Sequence, residues 1–165
     1  MKAWAAILSL CAIVLAGCAA TVGQRVHTGM TESQVLGIGG RPAQERKLSS
    51  GEKAWDYTLQ PSGYFTWRVV FGSDGHVREV RNLTTYENSL NIVEGMTETD
   101  VAAIMGPSFL RESYWTGNYS ISYRYMSGPT FMMLTVLMSK SGQVTGTTWM
   151  PDDAIYSTVS GGGVK

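Results

Sequence analysis

The sequence is poor in the residues that usually carry catalysis. It has two cysteines, Cys11 and Cys18, and two histidines, His27 and His76, in 165 residues. Cys11 lies inside an apolar N-terminal run and Cys18 at its end, which leaves the rest of the chain without a thiol for a disulfide, a nucleophile or a metal. Neither histidine belongs to a His-Glu-x-x-His motif or to zinc-ligand spacing, and no Gly-x-Ser-x-Gly elbow occurs. The glycines at 161–163 are not followed by the Lys-Ser/Thr of a phosphate loop. Asp152-Asp153 reads as a solvated loop after Pro151. These gaps predict a protein that is not an enzyme and uses no cofactor. Charge is sparse and balanced, 13 basic residues against 13 acidic ones, so the basic footprint of a nucleic-acid binder is missing. No apolar run reaches the roughly 20 residues of a membrane-spanning helix.

One apolar run does stand out. After Met1-Lys2, residues 3–15 carry no charge, and Leu15-Ala16-Gly17-Cys18 follows. The length, the single basic residue and the small residues at the end are those of a secretory signal peptide. The block at 15–18 resembles the bacterial lipobox. That resemblance implies lipid attachment to Cys18, cleavage before it, and a membrane contact made through acyl chains, each buried methylene contributing about 0.8 kcal/mol. Ala19, where an Asp would resemble an inner-membrane retention signal, points to the outer membrane.

The remainder is organised by an internal repeat, whose period sets the fold reading. VHTGMTESQV (26–35) matches IVEGMTETDV (92–101), an offset of 66 from Gly29 to Gly95. GSDGHV (72–77) matches SKSGQV (139–144), an offset of 67 from Gly75 to Gly142. Thr31 and Thr97 have the character of helix N-caps, with Gln34 and the shorter Asp100 three residues on, as a capping box requires. Gly40 and Gly106, each with a proline close behind, end the helices. Helices of about ten residues are marginal alone and must lie on a sheet. Residues 21–27 and 87–93 give a weak first helix to each copy.

Alternation at Trp55, Tyr57 and Leu59, and at Phe65, Trp67, Val69 and Phe71, marks half-buried strands, and Asp74-Gly75 marks a hairpin. In the second copy Tyr119, Ile121, Tyr123 and Tyr125 share one strand face, followed by strands at 131–138 and 144–149. The expected fold is α+β: tandem ααβββ repeats with short helices packed on an antiparallel sheet. The expected boundaries are a signal peptide at 1–17, a lipid-anchored linker at 18–25, repeats at 26–85 and 86–150, and a flexible tail at 151–165.

The pattern Gly-Met-Thr-x-x-x-Val, then Gly-x-Pro or Gly-Pro, an aromatic strand such as Trp55-Asp56-Tyr57, and Gly-x-Asp-Gly-x-Val resembles the BamE (SmpA/OmlA) lipoprotein domain. That domain is similar in architecture to half of the β-lactamase inhibitory protein. Two copies cover nearly all of 26–149, whereas BamE proper has one unit, and the disulfides of the inhibitor are missing. The resemblance implies an outer-membrane lipoprotein that faces the periplasm and binds or scaffolds another envelope protein in envelope integrity or outer-membrane protein assembly. The alternative is a periplasmic inhibitor or sensor of an envelope enzyme. Trp55, Trp67, Trp115 and Trp149 are expected mainly in the core. FMMLTVLM (131–138) is apolar on both faces. One face should meet the helices and the other a neighbouring repeat or an outside partner, with Met132, Leu134, Val136 and Met138 as the candidate partner-binding face.

Overall fold

The computed structural model describes residues 18–152, with side chains from Thr21 onward. The described residues divide into two compact units, one of residues 18–57 and 67–81, the other of residues 58–66 and 82–152. The class is α+β as expected, with short helices and two antiparallel four-stranded sheets.

In the first unit α1 (Cys18–Arg25) and α2 (Glu32–Gly39) precede β1 (Gln44–Lys47), β2 (Lys53–Thr58), β3 (Thr66–Phe71) and β4 (Val77–Asn82), ordered β1-β2-β3-β4. Thr31 caps α2 through a full capping box: its side chain accepts from Gln34 N–H, and the Gln34 side chain accepts from Thr31 N–H. Two orphan donors of a two-turn helix are thereby satisfied. The helices bury Val22, Val26 and Val35 against Trp55, Tyr57, Val69 and Phe71. Trp55 meets Phe71 edge-on, centroids 4.6 Å apart. Gly39 has a packing reason: a Cβ there would lie 2.7 Å from the Tyr57 ring and from Val22. The segment 18–25, expected as a linker, is helix α1, because Val22 is wholly buried in this core.

The second unit repeats the plan. Helices α3 (Tyr86–Ser89) and α4 (Glu98–Met105) precede β5 (Leu110–Ser113), β6 (Tyr119–Ser127), β7 (Thr130–Met138) and β8 (Val144–Pro151), ordered β5-β6-β7-β8. Thr97 and Asp100 form the second capping box. Ile92, Val101 and Met105 pack on Tyr119, Ile121, Tyr123, Tyr125, Leu134, Val136 and Met138.

Each sheet has one strand more than expected. β1 (QERK) and β5 (LRES) are charged edge strands with almost no buried residue, so hydrophobic alternation gives no sign of them. By its contacts Thr58–Thr66, which joins β2 to β3, belongs with the second unit. Leu83 N–H bonds Thr66 O, Tyr64 and Phe131 rings lie 4.6 Å apart, and Arg124 N–H donates to Gln60 Oε1.

Candidate interaction surface

Cys18 is the first residue of α1. Its side chain, the signal-like residues 1–17 and the tail from Asp153 lie outside the described residues. The candidate face on β7 is corrected by the fold. Leu134, Val136 and Met138 are buried in the second core and Met132 packs against it. Their side of β7 is the one covered by the helices, since it shares a face with Ile121, Tyr123 and Tyr125 in register. The opposite side carries Phe131, Met133, Thr135 and Leu137, all partly buried.

The tryptophans divide. Trp55 is buried and Trp67 packs on the first core. Trp115 is 97% exposed. It sits at the tip of the β5–β6 hairpin, where Tyr114 N–H bonds Asn118 O, Gly117 N–H bonds Tyr114 O, and Gly117 has φ +85°. The β1–β2 hairpin has the same turn. There Leu48 N–H bonds Glu52 O, Gly51 N–H bonds Leu48 O, and Gly51 has φ +86°. In that copy the position of Trp115 is Ser49. Serine therefore suffices for this turn, and the exposed indole is not required by the backbone.

A second difference between the copies lies at the β8 edge. Its residues match those of β4, Thr145, Thr148 and Trp149 standing where Arg78, Arg81 and Asn82 stand. Trp149 is 38% exposed and donates its indole N–H to Ser89 Oγ on α3 at 3.0 Å. Just beyond α3, Leu90 is 54% exposed, in the place of Gln24. Tyr86, on the same helix, is exposed and stacks at 6.5 Å on Tyr125. At Trp149 and Leu90 the helical side of the second copy thus shows water apolar groups where the first copy has the polar Asn82 and Gln24.

The polar clusters have clear structural roles. Asp56, wholly buried, accepts from Arg68 Nε at 2.7 Å, Arg68 Nη2 at 2.8 Å and Arg46 Nε at 2.8 Å. Glu98 accepts from Tyr119 Oη at 2.9 Å and from Arg111, whose guanidinium lies 3.7 Å over the Tyr119 ring. Burial and then the Glu98 hydrogen bond push the Tyr119 hydroxyl up. Burial, then the charge of Glu45, pushes Tyr57 up to about 12.

Asp152 is not in a solvated loop: it is buried and accepts from Tyr64 Oη at 3.1 Å. Arg124 Nε lies 2.8 Å from the same oxygen, an ion pair whose N–H is not aimed along a hydrogen-bond axis. His76 is an exposed hairpin residue beside Asp74. A shallow cavity of about 420 Å³ lies along Glu45, Arg46, Lys47, Gly51 and Lys53. Two of its cations are already engaged, Arg46 by Asp56 and Lys53 by Glu32 at 2.6 Å. Among the described residues no three His, Cys, Asp or Glu side chains gather as a metal site, and no helix is long and apolar enough to cross a membrane.

No protein-family model matches the chain, and no curated protein does. Among solved structures the chain is similar to one titled a putative osmotically inducible lipoprotein OsmE. That match has 16% identity and a TM-score of 0.36, covering 44% of this chain and 85% of that one. It is also similar to a DUF4309 family protein, YjgB, from Bacillus subtilis subsp. subtilis str. 168. Here identity is 19% and the TM-score 0.28, covering 74% of this chain and 78% of that one.

Proposed function

We propose that this protein is an exported lipoprotein, anchored to the outer membrane through Cys18 and facing the periplasm, that works by binding rather than by catalysis. Its role is that of a binding or scaffolding component in envelope integrity or outer-membrane protein assembly. The lipobox-like LAGC at 15–18 supports the anchor. The observation that carries the binding role is the hairpin tip. An almost fully exposed tryptophan stands where the same turn in the first unit holds serine. Such a ring gains by leaving water, and aromatic side chains are enriched in the buried centres of interfaces.

Two measurements test this reading. Metabolic labelling with a palmitate analogue should mark the protein and fail on Cys18→Ser, because a hydroxyl is a far weaker nucleophile than a thiol; label retained in the variant refutes the anchor. A photo-activated cross-linker in place of Trp115, in the full chain in living cells, should capture an envelope protein. Barrel-assembly subunits among the adducts support the scaffolding role, and a periplasmic hydrolase supports the inhibitor role instead. An absence of adducts sinks both.

A further inference from the structure

The two units serve as controls for one another at their last strands. Sheet edges expose unpaired N–H and C=O groups, and proteins guard them with charge, proline or bulges. β4 is guarded in this way: Arg78, Glu79 and Arg81 fall within its six residues. β8, eight residues long, has no charged side chain. Its two ends are closed. Val144 exchanges hydrogen bonds with Met96 O and Gly95 N–H, and Pro151 has no N–H to give.

Between those ends the ladder alternates. Asp152 N–H bonds Phe131 O, so Met150, Thr148 and Gly146, paired with Met133, Thr135 and Leu137, turn their backbone groups to β7. Thr147 and Trp149 turn theirs to the open edge. Exposed apolar groups flank that edge on both sides of the sheet, Trp149 with nearby Leu90 on the helical side and Met150 on the other.

We infer that this edge pairs with the β8 edge of a second copy, antiparallel about a two-fold axis, to make one eight-stranded sheet. A second copy is the occupant that the strand's own residues fit, in one particular register. With Thr148 on the axis, Thr147 of one copy faces Trp149 of the other, and each such pair exchanges two backbone hydrogen bonds. The open N–H and C=O groups of Thr147 and Trp149 are then satisfied in both copies. The same register sets the large Met150 opposite Gly146 of the second copy, and no like charges meet anywhere along the seam. Both Trp149–Leu90 patches fall on one side of the joined sheet, next to each other. The interface is isologous and closes on itself, which leaves a dimer rather than a fibre. This pairing does not depend on the proposed envelope role.

Three readouts on the full chain test it. Thr148 sits at a non-hydrogen-bonded pair on the axis, where Cα atoms stand about 4.5 Å apart, within the span of a disulfide. Thr148→Cys should therefore give a reducible dimer under mild oxidation, above any level shown by the unsubstituted chain. Thr148→Arg, the residue type of its β4 counterpart Arg81, should halve the sedimentation mass in detergent while circular dichroism stays unchanged. A photo-cross-linker at 148 in cells should give an adduct of twice the chain mass. A wild-type monomer, a dimer that survives Thr148→Arg, or an adduct at 148 only with a different protein would each overturn the pairing.

Discussion

Replacing Asp56 by alanine should cost this protein about 3–5 kcal/mol, the range for removing one partner of a buried ion pair. The reason is the number of donors that converge on one carboxylate. Three N–H bonds of 2.7–2.8 Å reach it, two from Arg68 and one from Arg46. The side chains of Asp56, Arg68 and Arg46 are 0%, 1% and 11% exposed. Without the carboxylate, two guanidinium groups keep their charge, since arginine does not deprotonate in proteins, and Arg68 has no route to water from where it lies. Arg68→Met should cost less, because Asp56 then keeps a one-to-one pair with Arg46. The double variant Asp56→Leu with Arg68→Met should recover much of the loss, as apolar replacement of a buried pair often does. Urea denaturation of a soluble form, lacking residues 1–17 and carrying Cys18→Ser, gives the three free energies by linear extrapolation. Against a total of roughly 5–15 kcal/mol, the alanine variant should be visibly marginal. A loss below about 1 kcal/mol, or equal losses for Asp56→Ala and Arg68→Met, would refute the reasoning.

The glycines of α2 make opposite predictions. Gly37→Ala meets nothing within 4 Å and should stabilise by roughly 0.5–1 kcal/mol through helix propensity. Gly39→Ala should destabilise by about 1–3 kcal/mol through the clash with Tyr57 and Val22; thermal melts of the pair should move in opposite directions. Thr31→Ala and Thr97→Ala should each lose about 1 kcal/mol of cap, seen as a fall of a few degrees in Tm. The hydrogen bonds from the Thr97 hydroxyl and N–H hold the Asp100 carboxyl below its ordinary value. Its contribution is therefore present above the ordinary carboxylate range and lost as pH falls through the lower folded value, and Thr97→Ala should blunt that acid dependence. Tyr57 ionises at about 12 rather than 10.0. The neutral phenol is the folded form, so its contribution holds below pH 10.0 and drains away as pH rises toward 12. An ultraviolet titration should show a late phenolate phase that disappears in Tyr57→Phe and moves to lower pH in Glu45→Gln.

The parts of the fold visible in the sequence are those with short-range chemistry. Thr31 with Gln34, and Thr97 with Asp100, announce helix starts because a cap needs only neighbours three residues apart. Strand alternation at Trp55 and Tyr57, and at Tyr119 to Tyr125, shows which side meets the helices. β1 and β5 were illegible because charged edge residues that face water leave no alternation. β7 is apolar on both sides, so its pattern does not say which side the helices take; Leu134, Val136 and Met138 went to the core by register with β6. Trp115 and Trp149 look like any other tryptophan in a strand-rich stretch. Only alignment of one repeat on the other, Ser49 under Trp115 and Asn82 under Trp149, holds a signal for the exposed surface. Asp152 gave no sign of its buried place, because its partners Tyr64 and Arg124 are fixed by long-range closure.

That closure has a consequence for the order in which the chain acquires its structure. Tyr64 and Asp152 are 88 residues apart in sequence, and Tyr64 leaves the ribosome, and any export channel that carries the chain N-terminus first, long before Asp152. The helices and sheet of the first unit have all their residues before Asp152 emerges, but the Tyr64 ring in the segment 58–66 must wait for Phe131 and Asp152. Closing so long a loop adds little free energy per doubling of length but delays the reward until β8 is in place. The second unit is therefore completed only when nearly the whole chain has emerged. Chains cut short before residue 131 should be marked by an unburied Tyr64, a ready point of attack for the proteases that clear unfinished proteins.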